Sequence, residues 1–134
     1  MTKTFVKAAE NWTRENVTND AGRAEEIRTA IKTKLKEEDS INIEEFSAEL
    51  FNDHPQAKEE FSTYIKQQGL QEEVAVDKTW VEKKLKRVRL NIDKQIDLYI
   101  NEETYHDPSK FEIQRNGDGT INLIVKNVIN YIEK

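Results

Sequence analysis

The stretch RVRLNIDKQIDLYIN, residues 87–101, decides the fold. In its first half Val88, Leu90 and Ile92 alternate with Arg87, Arg89 and Asn91. Successive side chains of a strand point to opposite faces, so one face is apolar and the other polar. In the second half Ile96, Leu98 and Ile100 alternate with Asp97 and Tyr99. Two such runs joined through Asp93-Lys94-Gln95 predict an antiparallel hairpin. Further on, Phe111 and Ile113 begin a third strand, and Asn116-Gly117-Asp118-Gly119 is a turn signal. Ile121, Leu123 and Val125 then form a fourth strand, with Ile124 adding an apolar residue on the other face. Val128, Ile129 and Ile132 read as a short terminal helix.

Upstream the period changes to that of a helix. Phe5, Ala8, Ala9 and Trp12 share one helical face. Thr18, Asn19 and Asp20 form a capping cluster before a second helix, in which Ala24, Ile27, Ala30, Ile31 and Leu35 recur at helical spacing. Asn42 is placed to cap a short helix that turns Ile43, Phe46 and Leu50 inward, with Glu45 at the capping-box position. Asp53 is expected to cap the next helix, with Pro55 in its first turn. Ala57, Phe61, Tyr64 and Ile65 are its apolar face, and Gly69 is placed to end it. Val74, Ala75 and Val76 favour an extended segment.

The expected class is therefore α+β: a helical segment of about four helices over residues 1–70, then a small antiparallel β-meander of about four strands over residues 71–134. The two parts form either two subdomains or one compact unit, with the seam at residues 69–80.

The length of 134 residues, with 36% hydrophobic residues, suits one compact domain or two small ones. No cysteine is present, which excludes disulfides, a thiolate metal site and a cysteine nucleophile. No apolar run approaches the ~18–20 residues of a membrane helix, so no membrane partner is expected. His54 and His106 lie at a helix start and in a loop, without further ligands at metal-binding spacing. The turn around Asp118 resembles part of a calcium loop, but that alignment puts Gln114 first and Val125 last, where acids are needed. There is no phosphate-binding glycine loop. No catalytic residue, metal or cofactor is expected, and an enzyme survives only as a dispersed site that sequence would not reveal.

Charge is the stronger lead. The net charge of −5 argues at first against nucleic acid. The charges are segregated, however. Residues 78–89 hold six basic side chains and one acidic, whereas residues 37–73 hold eleven acidic and two basic. Lys83, Lys84, Lys86, Arg87 and Arg89 concentrate the positive charge, and Arg28, Lys32 and Lys36 form a second stripe at four-residue spacing. Such clusters attract phosphates by counterion release without reading sequence. The bland reading is that they are solvated, or pair with the acidic helices. Trp12 and Trp80 fit core or interface anchors better than base-stacking platforms.

Residues 85–127, LKRVRLNIDKQIDLYINEETYHDPSKFEIQRNGDGTINLIVKN, resemble the C-terminal region of the bacterial 37-kDa nucleoid-associated protein family. The hairpin from Arg89 to Ile100 carries the resemblance. So do the run from Tyr105 to Ile113 and the segment Asp118-Gly119-Thr120-Ile121 leading to Ile124-Val125-Lys126-Asn127. Phe51-Asn52-Asp53, Glu59-Glu60-Phe61 and Gly69-Leu70 extend it upstream, to roughly residues 40–130. The resemblance implies a cytoplasmic protein of the nucleoid that associates with double-stranded DNA, and a chain that is the C-terminal portion of a longer one. It supplies no DNA-contacting residue, so the eight cations named above rest on charge alone. The alternative it leaves open is a protein-interaction or self-association module, with DNA binding in the absent N-terminal half and a second copy or another protein as partner.

Overall fold

Helix α1 (Thr2–Asn16) buries Phe5, Ala8, Ala9 and Trp12, the face its spacing predicts. In this computed structural model, which describes residues 1–134, the chain divides into two compact units, Met1–Glu82 and Lys83–Lys134. The α+β order is as expected, helices first and strands after.

In the first unit α2 (Ala21–Glu37) starts at Asp20, whose carboxylate accepts from the Arg23 amide at 2.9 Å. It buries Ala24, Ile27, Ile31 and Leu35. The short strand β1 (Ser40–Asn42) leads directly into α3 (Ile43–Leu50). The Asn42 side chain caps α3 by accepting from the Glu45 amide at 2.9 Å. Glu72 supports the same helix start from outside: its carbonyl accepts from the Ile43 amide and its carboxylate from the Glu44 amide, both at 2.9 Å. The first-turn amides, which have no partner inside the helix, are thereby satisfied.

Helix α4 (Pro55–Lys66) has Pro55 at its first position, but its N-cap is His54, without a side-chain cap bond. This corrects the expectation for Asp53, which lies one residue too early to cap. After α4 the chain turns through Gly69, at φ 86°, into β2 (Glu73–Ala75). β2 pairs antiparallel with β1, setting Ile41 opposite Val74. The hydroxyl of Thr2 donates to the Ala75 carbonyl at 3.1 Å and accepts from the Asp77 amide at 2.8 Å, so α1 is fastened to the segment after β2.

The core of this unit is aromatic at its centre. Trp12, Phe51 and Phe61 pack with ring centroids 5.2–5.4 Å apart, and Phe5 lies 6.3 Å from Phe46. Edge-to-face and tilted contacts of this kind add to the roughly 1.5–3 kcal/mol that burial of each large apolar side chain contributes. Two of the buried hydroxyls are satisfied within their own helix: Thr13 donates to the Ala9 carbonyl and Ser47 to that of Ile43.

Helix α5 (Lys78–Lys84) crosses the boundary between the units. The second unit holds β3 (Arg87–Ile92), β4 (Ile96–Asn101), α6 (Glu102–Tyr105), β5 (Phe111–Arg115) and β6 (Ile121–Val125). The predicted hairpin is present, with Val88 opposite Ile100 and Leu90 opposite Leu98. β5 and β6 form a second hairpin through the glycine turn, where Gly117 and Gly119 have φ of 84° and 92°. The meander thus resolves into two separate two-stranded sheets. The physical reason lies between them. The one-turn helix α6 follows β4 immediately and packs against β3, β4 and β5, so β5 does not lie beside β4. Val88 and Phe111 are the buried residues of these strands, and Tyr105 stacks on Phe111 at 5.3 Å. Val125 is exposed, whereas Ile124 is half-buried.

The expected terminal helix is absent. Residues 126–134 carry no regular structure, and Val128, Ile129, Tyr131 and Ile132 are exposed. Asn127, at φ 53°, sits in the left-handed region that interrupts a right-handed helix, with its side-chain amide donating to the Ser109 carbonyl.

Candidate nucleic-acid interface

The basic segment begins at a helix start that the sequence reading missed. Asp77 accepts from the Trp80 amide at 3.1 Å, as an N-cap does, and opens α5. Lys83 and Lys84 then fall in the last turn, where the carbonyl end of the helix favours cations. Two residues on, the Lys86 carbonyl accepts from the Glu102 amide at 2.8 Å, fixing the entry into β3. Strand alternation does the rest. Val88 turns inward, while Arg87, Arg89 and Asn91 face out.

Register places a partner opposite each outward residue: Asn101 opposite Arg87, Tyr99 opposite Arg89 and Asp97 opposite Asn91. The outward face is therefore three cross-strand rungs. In the middle rung the Arg89 guanidinium lies 4.9 Å from the Tyr99 ring centroid and donates to the phenol oxygen at 3.2 Å. In the outer rung the Asn91 amide donates to Asp97 at 2.9 Å. The turn beyond holds Asp93 and Lys94, both at positive φ, as the favoured hairpin turns require. Lys83, Lys84, Lys86, Arg87 and Arg89 are all exposed, and none forms an ion pair with a carboxylate.

The second predicted stripe behaves differently. Arg28 is gripped by Glu10 on α1: Nε donates to the two carboxylate oxygens at 2.7 and 3.2 Å, and a terminal nitrogen donates at 2.9 Å. This forked geometry is the strongest form of arginine pairing with a carboxylate. Lys32 is half-buried and Lys36 exposed. The carbonyls of Leu35 and Lys36 each accept from the Lys78 ammonium at 3.0 Å, which closes the end of α2. All three stripe residues belong to the first unit, and the five other cations belong to the second.

The acidic helices take cations of their own unit. Glu44 on α3 pairs with Lys58 and, at 3.1 Å, with Lys66, both on α4, and accepts from the Ser62 hydroxyl. Lys66 also reaches Glu72 at 2.9 Å, and Lys34 reaches Glu49 at 3.1 Å. Hydrogen bonds from Lys58 and Lys66 hold the Glu44 carboxyl down to about 2. The same network pushes both lysines up and, chiefly through Lys66, draws Glu72 down. In the second unit Lys126 pairs with Glu112 at 2.6 Å and lowers its pKa.

The remaining motifs are local. His54 is exposed at the start of α4, and His106 Nε2 lies 2.7 Å from Glu102. The Asp118 carboxylate accepts from the hydroxyl and amide of Thr120, which ties the glycine turn and lowers its pKa. Trp12 is a core anchor, and Trp80 is half-buried. Tyr99 was missed as part of the basic face. Its signal was available in the register, since a turn through residues 93–95 forces Tyr99 opposite Arg89.

No helix is long and apolar enough to cross a membrane. No curated protein and no solved structure matches the chain. The family model described as nucleoid-associated protein YejK matches residues 1–133, a span that takes in α1 and α2 as well as the strands whose sequence carries the resemblance, and the chain therefore belongs to that nucleoid-associated family.

Proposed function

We propose that this chain binds double-stranded DNA through phosphate contacts from Lys83, Lys84, Lys86, Arg87 and Arg89, without strong sequence preference and without catalysis. One observation carries the reading. Five exposed cations without carboxylate partners follow one another from the last turn of α5 through the outward face of β3. Membership of a nucleoid-associated family supports it, and supports work in the cytoplasm at the nucleoid. Arg28, whose charge Glu10 offsets, Lys32 and Lys36 are a secondary set.

The test is equilibrium binding to two labelled duplexes of unrelated sequence across a salt series. Equal affinities are expected, with the logarithm of the binding constant falling with that of salt at a slope of about −0.9 per phosphate neutralised. Lys84→Glu combined with Arg87→Glu should make the slope shallower by about 2 and weaken both duplexes alike. An unchanged slope refutes the assignment to this segment.

A second reading, self-association, is favoured by one observation. Ile96, Val125, Val128, Ile129, Tyr131 and Ile132 are exposed in the second unit, whose two hairpins are two-stranded sheets. Unpaired strand edges with apolar neighbours invite another strand. Sedimentation over a concentration series tests it: a mass that stays at one chain throughout removes it.

A further inference from the structure

We infer that the Arg89–Tyr99 rung is a stacking site for an unpaired nucleobase, so that the hairpin of β3 and β4 takes single-stranded DNA in a mode different from its phosphate contacts with duplex. The inference rests on the DNA-binding reading of the same segment and adds a ligand to it.

Tyr99 is 61% exposed although it stands in mid-strand with a cross-strand partner. Only one direction of the ring is accounted for, by Arg89. The guanidinium stacks at 4.9 Å and anchors the phenol oxygen, so the side chain is held in place rather than swinging freely. A restrained aromatic ring in open solvent is what a base needs, because every base presents a π-face and loses less when its platform is already ordered. Arg89 adds a second planar surface and a positive charge at the same place.

The surroundings select the ligand. Arg87 is two residues from Arg89 on the same face, and Lys86, Lys84 and Lys83 continue along the chain, so a phosphate backbone can run beside the ring. The opposite end of the face carries the Asn91–Asp97 pair, which is neutral to acidic. A single strand therefore lies at the Arg87 end and sets one base on Tyr99. A duplex cannot use the ring without unstacking a pair, so it binds by the cations alone.

The experiment uses the whole chain and two fluorescent probes at matched salt, a fifteen-nucleotide oligo(dT) and a duplex of fifteen base pairs. Tyr99→Leu keeps an apolar side chain on the strand and removes the π-face. It should weaken oligo(dT) binding about 5- to 100-fold and leave duplex binding within about twofold. Tyr99→Trp enlarges the platform and should strengthen oligo(dT) binding, which keeps the idea testable if the leucine variant misfolds. Equal effects on both probes, or none on oligo(dT) for either variant, overturn the inference. Tighter binding of oligo(U) than oligo(dT) overturns the choice of DNA. Lys84→Glu with Arg87→Glu should weaken both probes. If it spares the duplex, the phosphate reading fails on that arm, while the tyrosine arm is judged separately.

Discussion

Replacing Glu44 by glutamine removes the centre of the charge network that joins α3 to α4. The carboxylate bonds Lys58, Lys66 and Ser62, and its own amide donates to Glu72. Its pKa lies at about 2 instead of 4.5. If the group were shielded from water, that difference would be worth about 3 kcal/mol, at about 1.4 kcal/mol for each unit. The Glu44 side chain is 41% exposed, and screening by solvent reduces the figure to ~1 kcal/mol. The sign follows from proton binding. The folded chain holds this proton less well than the unfolded chain does, so the stabilisation is complete above about pH 4.5 and is lost as pH falls towards about 2. Urea unfolding followed by tryptophan fluorescence at pH 7 and near pH 2 provides the assay. Glu44→Gln should cost ~1 kcal/mol at neutral pH and almost nothing at the acid end. A penalty that stays the same at both pH values would show that the loss comes from packing and would refute the electrostatic argument.

Two further outcomes test the packing and the hairpin. Phe61→Ala empties the site between Trp12 and Phe51 and should cost about 3–5 kcal/mol in urea unfolding, with Trp12 emission shifting to the red; a cost below ~2 kcal/mol would mean the neighbouring rings close the gap. Lys94 holds φ of 60°, so Lys94→Gly should stabilise the hairpin by about 0.5–1 kcal/mol, read as slower hydrogen exchange at Leu90 and Leu98; faster exchange there would refute the strain.

Periodicity revealed what periodicity can encode. The faces of α1 and α2 were legible because each buries a stripe at helical spacing, and β3 and β4 were legible because each alternates. The three-residue strand β1 was not, since Ser40–Asn42 is too short to show a period and is defined by its partner β2, more than thirty residues away. Helix α5 was hidden because its charges drew the reading and only Trp80 and Val81 are apolar, although Asp77 marked its start. Val128, Ile129 and Ile132 have helical spacing, but a period forms a helix only when there is a surface to bury it against. The candidate site divides in the same way. The five cations were legible as a run, and Tyr99 was recoverable from the register. The Glu10 partner of Arg28 comes from another helix, and nothing in local spacing announces it.

The fastening of Thr2 to Ala75 and Asp77 has a consequence for how the chain is made. Thr2 makes its hydrogen bonds with residues synthesised about 75 positions after it. At roughly 5–20 residues per second that is a delay of several seconds. During that interval the start of α1 is without the segment to which Thr2 is later fastened. Nascent chains in which Asp77 is absent and in which it has emerged should therefore differ in protease resistance at the start of α1.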